Sequence, residues 1–120
     1  MVRRLKDLSS SELGLLPNTS GDRSSMGEEM IYLHLFNRAK MNWYLAKYSS
    51  ISRKFFGYFE NPKDTITTGF YTLESILSYG KNGDDWEPMV DEDWKPILAK
   101  DILPLKGYIE FIRNGTDDFT

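Results

Sequence analysis

Hydrophobic and polar residues alternate along the chain between residues 30 and 59. Such alternation is typical of strands whose two faces meet different surroundings. It begins at Met30 and continues through two further runs in NWYLAKYSSISRKFFGYFE, residues 42–60. Short loops join the three runs, so we expect three strands that pair antiparallel. TITTGFYT, which is rich in β-branched and aromatic residues, predicts a fourth strand.

The alternation assigns the side chains of the three strands to two faces. The first face is predicted to meet helices and holds Ile31, Leu33, Leu35, Trp43, Leu45, Phe55 and Phe59. The second face holds Tyr32, His34, Tyr44, Tyr48, Phe56 and Tyr58, with the cations Arg53 and Lys54 at its rim. Three interpretations of the second face stay open: core beneath another layer, protein interface, or a platform for single-stranded nucleic acid. Tyrosine is enriched in interface centres, and bases stack on aromatic rings.

Helix signals flank the strands. SSSELGLLP, residues 9–17, predicts one short helix with a serine cap and Pro17 as its stop. Thr72 can cap a second short helix that Gly80 ends. WKPILAKD predicts a brief edge strand, and DILPLKGYIEFIRNG predicts a helix from about Pro104.

Together these elements predict an α+β fold with an antiparallel sheet of four to five strands and helices packed mainly on one face. Residues 1–28 are predicted to form a short helix plus a flexible connection, and residues 29–120 a single α+β domain. The 120 residues match the usual size of one domain. No apolar run is long enough to cross a bilayer, so we expect no membrane association.

Composition narrows the chemistry. The chain has no cysteine and shows no apolar leader at its N-terminus, so we expect a cytoplasmic protein without disulfides or thiolate metal sites. The net charge of −3 is unevenly spread: residues 1–59 carry nine Lys and Arg against five Asp and Glu, and residues 60–120 carry six against thirteen. Two arrangements are possible. Either the basic and acidic residues form separate surfaces, of which one attracts anions and the other repels them, or the fold interleaves them and their electric fields cancel.

Candidate chemistry is sparse. His34 could act as a general base or ligand, but its place between Tyr32 and Phe36 favours a partly buried structural histidine. The chain shows no motif for nucleophilic catalysis or for binding a cofactor, and we predict no catalytic residue, no metal site and no cofactor. Six carboxylates cluster late in the chain: Asp84, Asp85, Glu87, Asp91, Glu92 and Asp93. Three interpretations stay open, namely a solvated acidic loop, a Mg²⁺ site, or a surface that mimics the nucleic-acid backbone.

Several short motifs occur in a characteristic order. They are Leu16-Pro17, Phe36, Trp43-Tyr44-Leu45-Ala46-Lys47, Phe56-Gly57, the segment 69–76 and the segment 91–96. In this order the chain resembles, over residues 8–103, a family of bacterial, phage and plasmid proteins called domain of unknown function 2958. The family usually has an acid at the position of Lys47 and an acidic-hydrophobic pair at Thr67-Thr68. The resemblance implies a compact α+β fold and a mobile-element setting, and no mechanism.

The sequence therefore predicts a small non-catalytic accessory protein of a phage or mobile element. We expect it to bind a host or element protein, including one that handles nucleic acid, chiefly through Tyr44, Tyr48, Phe56 and Tyr58. Two alternatives stay open. One is direct binding of single-stranded nucleic acid by the tyrosine-rich face, and the other is a nucleic-acid-mimicking inhibitor that uses residues 84–93.

Overall fold

A computed structural model describes residues 3–19, 27–63 and 65–117, with side chains described as far as Ile112. Most of the predicted flexible connection lies outside these residues. The strands are β1 (Met30–Ile31), β2 (Leu33–Phe36), β3 (Asn42–Ser49), β4 (Lys54–Glu60), β5 (Ile66–Thr72), β6 (Met89–Val90) and β7 (Ile97–Leu98). The α-helices are α1 (Ser10–Leu13), α2 (Leu73–Leu77) and α3 (Leu103–Asp117). Short 3₁₀ helices cover Leu5–Asp7, Ser78–Asn82, Asp84–Trp86 and Ala99–Asp101.

Five strands form one antiparallel sheet in the order β5-β4-β3-β2-β6, and β1 pairs with β7 in a separate two-stranded sheet. The α+β class and the antiparallel sheet predicted from the sequence are confirmed. The two-residue strand β6 was not predicted, because its segment consists mainly of acidic residues and turn formers. It adds to the sheet beside β2, where Leu35 pairs with Val90.

Local capping explains where the two short helices begin. The Ser9 hydroxyl accepts a hydrogen bond from the Glu12 amide, and the Glu12 carboxylate accepts one from the Ser9 amide. These reciprocal bonds satisfy amide groups that a first helical turn otherwise leaves unpaired. Thr72 acts in the same way for α2, since its hydroxyl accepts from the Ser75 amide at 3.1 Å. Both predicted caps are confirmed.

The predicted first strand is wrong at Tyr32, where the structure breaks it into β1 and β2. Ile31 pairs with Ile97 of β7, while Leu33 pairs with Leu45 of β3. Ile31 consequently packs on the opposite side of the sheet from Leu33 and Leu35. Alternation could not reveal the break, because it assumes one unbroken extended segment.

A second correction concerns Tyr48, which lies on the opposite face to the one that alternation assigns. The pairing of β3 with β4 shifts between Leu45 and Lys47, so that Leu45 faces Gly57 while Lys47 faces Phe56. The extra residue, Ala46, is a β-bulge, and a bulge inverts the alternation beyond it. Tyr48 therefore joins Phe55 on the face that was predicted to meet helices.

Both faces of the sheet are covered. The face that we call the Trp43 face buries Leu35, Trp43, Leu45 and Phe55 against the N-terminal segment, through Leu13 of α1, and against Leu73 and Ile76 of α2. The other, the Tyr58 face, buries Tyr44, Ala46 and Tyr58 against Leu105 and Ile109 of α3. Two hydrophobic clusters thus enclose the central strands, with α1 and α2 on one side and α3 on the other.

The N-terminal segment also covers one edge of the sheet. The Arg3 carbonyl accepts a hydrogen bond from the Val90 amide at 2.8 Å, and the Leu5 amide donates to the Pro88 carbonyl at 2.9 Å. A bridge between Arg4 and Met89 lies between these bonds. The outer side of β6 is therefore occupied by backbone from the start of the chain.

The backbones of β3 and β4 lie very close together at Gly57. A Cβ at this position would lie 2.9 Å from the Cα of Leu45 and closer still to the carbonyl oxygen of Tyr44. Because both neighbours are backbone in a buried sheet, we expect Gly57→Ala to lower the free energy of unfolding by at least about 2 kcal/mol. Urea denaturation measures it.

Gly107→Ala is the matched control for this substitution. A Cβ on Gly107 meets nothing within 4 Å, and the residue lies within α3. We expect this variant to be more stable than the wild type by about 0.5–1 kcal/mol, since alanine favours helix. Equal effects of the two substitutions would contradict the close packing at the bulge.

Candidate functional site

Tyr44 and Tyr58, the centre of the predicted contact surface, are buried: Tyr58 lies beneath α3, and Tyr44 packs against His34 and Trp94. The exposed fraction is 5% for Tyr44 and 0% for Tyr58. The ring of Tyr108 meets that of Tyr58 edge-on, with centroids 6.3 Å apart. Of the interpretations left open by the sequence, core is therefore the one realised at these two positions. Neither ring can reach a partner in this structure.

The remaining predicted tyrosines lie apart from each other. Tyr48 is buried on the Trp43 face, where its ring centroid is 4.6 Å from that of Phe55. Tyr32 is exposed, at the break between β1 and β2, and its amide donates to the Leu45 carbonyl at 3.0 Å. The structure thus does not bring the predicted tyrosines together on one accessible surface.

An accessible group does exist at the other end of the Tyr58 face, next to β5. Phe70 of β5 pairs with Phe56 of β4, and their ring centroids are 5.2 Å apart. The ammonium of Lys47 lies 6.0 Å from the centre of the Phe56 ring. Lys54, two positions before Phe56, is exposed on the same face. We call this group, Lys47, Lys54, Phe56 and Phe70, the cationic aromatic patch.

Phe70 is the most accessible ring of the patch, with 60% of its surface exposed. It was not among the predicted contact residues, although it lies in the predicted fourth strand. Its position opposite Phe56 depends on the register of β4 with β5, which alternation within a single strand does not specify. Arg53, predicted at the rim, lies in the turn before β4 and pairs with Glu74 at 2.8 Å.

His34 is held in a hydrogen-bonded chain on the Tyr58 face. Its Nδ1 lies 2.8 Å from an Asp91 oxygen, and its Nε2 lies 2.8 Å from the side-chain oxygen of Asn42. The amide nitrogen of Asn42 donates in turn to Glu60 at 3.2 Å. Acceptors thus face both ring nitrogens, and both can donate only when the ring is an imidazolium.

Aromatic rings enclose His34 as well. The Tyr44 ring stacks parallel to it with centroids 4.9 Å apart, and the Trp94 ring is 5.0 Å away. The indole of Trp94 is fixed by donating to the Ile31 carbonyl at 3.0 Å. With both nitrogens hydrogen-bonded and the Tyr44 and Trp94 rings packed against it, His34 orients the 91–94 segment against the sheet and offers no free nitrogen to a substrate.

A buried carboxylate lies below α3. Glu29 accepts hydrogen bonds from the Tyr58 hydroxyl and, at 3.2 Å, from the Gly27 amide. Burial, reinforced by the Glu29 carboxylate, raises the pKa of Tyr58 above its ordinary value. Burial and the nearby Glu60 carboxylate likewise raise the pKa of Tyr44. Both tyrosines are thereby held in their neutral form.

The predicted acidic cluster is divided by two ion pairs and by a hydrogen bond to His34. Glu87 lies 3.2 Å from Lys6, Asp91 pairs with His34, and Glu92 lies 3.4 Å from Arg3. The other members are exposed and comprise Asp84, Asp85 and Asp93. Within residues 3–19, 27–63 and 65–117, no three His, Asp or Glu side chains are placed to hold a metal together.

These ion pairs also bear on the uneven charge of the two halves of the chain. Lys6 and Arg3 come from the basic half, and their partners Glu87 and Glu92 come from the acidic half. Arg53 with Glu74 repeats the pattern. Interleaving of the two sets, one of the two predicted arrangements, therefore holds at each of these contacts.

Comparisons with known proteins add no assignment. No family model, no curated protein and no solved structure matches the chain. The resemblance to domain of unknown function 2958 stays a prediction. Across the part of the chain that the structure describes, no helix has both the length and the apolar character needed to cross a bilayer.

The raised pKa of Tyr58 predicts a loss of stability in alkali. A tyrosine that ionises less readily when folded contributes stability below its unfolded pKa of about 10, and this contribution falls as the pH rises further. We expect the wild type to lose up to about 1.4 kcal/mol per pH unit above pH 10 from each such tyrosine. Urea denaturation at pH 8 and pH 11 measures the difference.

Substitution of single tyrosines identifies which hydroxyl groups cause the loss of stability in alkali. Tyr58→Phe and Tyr44→Phe each remove one ionisable group, so the loss between pH 8 and pH 11 should be smaller than in the wild type. Tyr32→Phe, at an exposed ring, is the control and should leave the loss unchanged. The same alkaline loss in Tyr58→Phe and the wild type would count against this account.

Proposed function

We propose that the protein is a non-catalytic binding module that contacts a protein partner through the cationic aromatic patch. The observation that carries the proposal is the exposure of Phe70 beside Phe56, with Lys47 and Lys54 on the same face. Aromatic rings such as those of Phe56 and Phe70 are enriched in interface centres, where a few buried residues supply most of the binding free energy, and charged residues such as lysine belong to the rim.

Charge favours a protein over a nucleic acid as the partner. The chain carries a net charge of −3, and the acidic segment 84–93 adds exposed carboxylates. Proteins bind nucleic acids mainly through lysine and arginine contacts to the phosphates. An acidic protein offers such contacts only locally. A protein partner with acidic residues around an apolar contact meets both the lysines and the rings of the patch.

Single-stranded nucleic acid is the second candidate, and one observation favours it. Lys47 and Lys54 lie on the same face as two rings, which is the combination of phosphate contact and base stacking that such sites use. The nucleic-acid-mimicking inhibitor has less support, because two carboxylates of segment 84–93 are paired with cations of the same chain and a third is hydrogen-bonded to His34.

The biological setting belongs to the same proposal. Resemblance to domain of unknown function 2958 supports an accessory protein of a phage or mobile element, whose partner is a host or element protein. The lack of cysteine in 120 residues supports a cytoplasmic location. Occupation of both His34 nitrogens supports a role in binding rather than in acid-base catalysis.

Phe70→Ser tests the patch. We expect it to weaken capture of a specific partner from cell extract at least tenfold, because it removes an exposed ring without disturbing either hydrophobic cluster. Quantitative mass spectrometry of captured proteins measures the change. The matched control is Phe111→Ser, on the solvent side of α3, where the ring is 73% exposed.

The outcome separates the candidates. A partner lost with Phe70→Ser and kept with Phe111→Ser supports the patch. If no captured protein depends on Phe70, the protein-binding proposal is wrong. Titration with a labelled oligothymidine at two salt concentrations then tests the second candidate, for which affinity must fall steeply as salt rises.

A further inference from the structure

The outer edge of β5 presents unpaired backbone groups. The Leu73 amide donates to the Arg53 carbonyl at 2.9 Å, and the Asn61 amide donates to the Thr65 carbonyl at 3.0 Å. These bonds fix the phase of the strand, since alternate residues point to opposite sides. Residues 67, 69 and 71 therefore bond to β4, while the amide and carbonyl groups of residues 66, 68, 70 and 72 point outward.

Most of this edge is unprotected in the described residues. The Thr72 carbonyl accepts a hydrogen bond from the Ser75 hydroxyl at 2.8 Å, but none of the described backbone hydrogen bonds between loops, turns and strands reaches the outward groups of residues 66, 68 and 70. The strand is seven residues long and contains neither a charged residue nor a proline, the features that usually prevent strand addition. The opposite edge of the sheet, by contrast, is covered by residues 3–5. Such an edge is completed by another extended segment, because the amide and carbonyl groups of a second strand can pair with those that point outward from β5.

We propose that a second copy of this chain is that occupant, and that the two β5 strands pair antiparallel about a two-fold axis at Gly69. In this register Thr68 faces Phe70 of the second copy and Ile66 faces its Thr72. All of these residues direct their backbone groups outward. Because the Thr72 carbonyl already accepts from the Ser75 hydroxyl, the pairing forms about six interchain hydrogen bonds. The two sheets become one continuous sheet.

Side chains along the strand suit this symmetric pairing. Gly69 meets Gly69 on the axis, where opposing strands approach most closely, and a Cβ there would meet nothing within 4 Å. Each remaining pair sets a residue against a threonine, and Phe70 lies diagonal to Phe70 of the second copy, within reach of an aromatic contact. No like charges oppose each other, because the strand has none.

Charge at the ends of the strand favours the antiparallel direction. Lys54 lies beside Thr72 at one end of β5, and Glu60 lies beside Ile66 at the other. Antiparallel pairing brings the Lys54 end of one copy next to the Glu60 end of the other, with about 14 Å between the strands that carry them. At this distance the attraction is small at physiological salt and grows at low ionic strength. A foreign strand would need to reproduce this complementarity, whereas a second copy supplies it by symmetry.

This inference goes beyond the proposed function, since it uses backbone groups of β5 rather than the side chains of the patch. Pairing would also join the patches of the two copies, because Phe56 and Phe70 lie on the face that continues across the axis. The two proposals can nevertheless fail separately, as the variants below show.

Sedimentation velocity and amide hydrogen exchange test the pairing in the wild type. We expect a species of twice the 14.0 kDa chain mass at micromolar concentration. Exchange at Thr68 and Phe70 should slow at least tenfold as the protein concentration rises from monomeric to dimeric conditions. Exchange at residues 67, 69 and 71, which bond to β4, should stay unchanged. A monomer at all concentrations, or a dimer with fast exchange at Thr68 and Phe70, would overturn the proposal.

Thr68→Pro removes one outward amide and should weaken dimerisation at least about a hundredfold. Thr68→Val is the matched control, because it loses the hydroxyl that bonds Tyr108 at 2.9 Å but keeps the amide. Equal dimerisation of the two variants would contradict the edge pairing; if Thr68→Pro fails to fold, the exchange measurement decides. If amide exchange at Thr68 and Phe70 slows only when a foreign protein is added, the occupant of the edge is not a second copy and the proposal is wrong. Loss of the dimer in Thr68→Pro with partner capture intact leaves the proposed function standing.

Discussion

Burial of both faces of β3 and β4 is the constraint on which the rest of the structure depends. The Trp43 face packs on the N-terminal segment and α2, and the Tyr58 face packs on α3. A sheet enclosed in this way has few places left for recognition. What stays accessible lies toward β5, where the edge is open and where Phe70 is exposed.

The bulge at Ala46 makes this enclosure compatible with the sequence. Without it, Tyr48 would lie on the same face as Tyr44, and its ring would no longer pack against Phe55. Gly57 accommodates the bulge because its missing side chain leaves room for the backbone of β3. Hydrogen bonds to Glu29 and Glu60 then satisfy the hydroxyls of Tyr58 and Tyr44 under α3.

Much of the fold follows from local patterns, since alternation, caps and turn residues act within a few positions of each other. Strands β3, β4 and β5 and the Thr72 cap were predictable for that reason. The break at Tyr32, the bulge and the β6 strand depend on pairing with distant segments, which alternation does not encode. The same holds for the candidate site. Phe56 and Lys54 were predicted, but Phe70 lies beside them because of the register of β5 with β4. Tyr44 and Tyr58 do not belong to the site because they are buried.

The aromatic stretch 42–60 thus serves two purposes. Most of its strand residues form core on both sides of the sheet, while Lys47, Lys54 and Phe56 contribute to the cationic aromatic patch. The functional proposal accordingly moves from the centre of the sheet to its β5 side. His34 and its partners Asp91 and Asn42 belong to the packing of the 91–94 segment rather than to that surface.

Hydroxyl-radical footprinting with mass spectrometry tests this account most directly, because it reports the solvent access of individual rings in the wild-type protein. Tyr44 and Tyr58 should resist oxidation, while Phe111, which lies outside both the patch and the edge, should be modified rapidly. Phe70 should be modified rapidly at dilutions where the chain is monomeric. Oxidation of Tyr44 and Tyr58 at rates comparable to Phe111 would show that the Tyr58 face is open, and the account would be wrong.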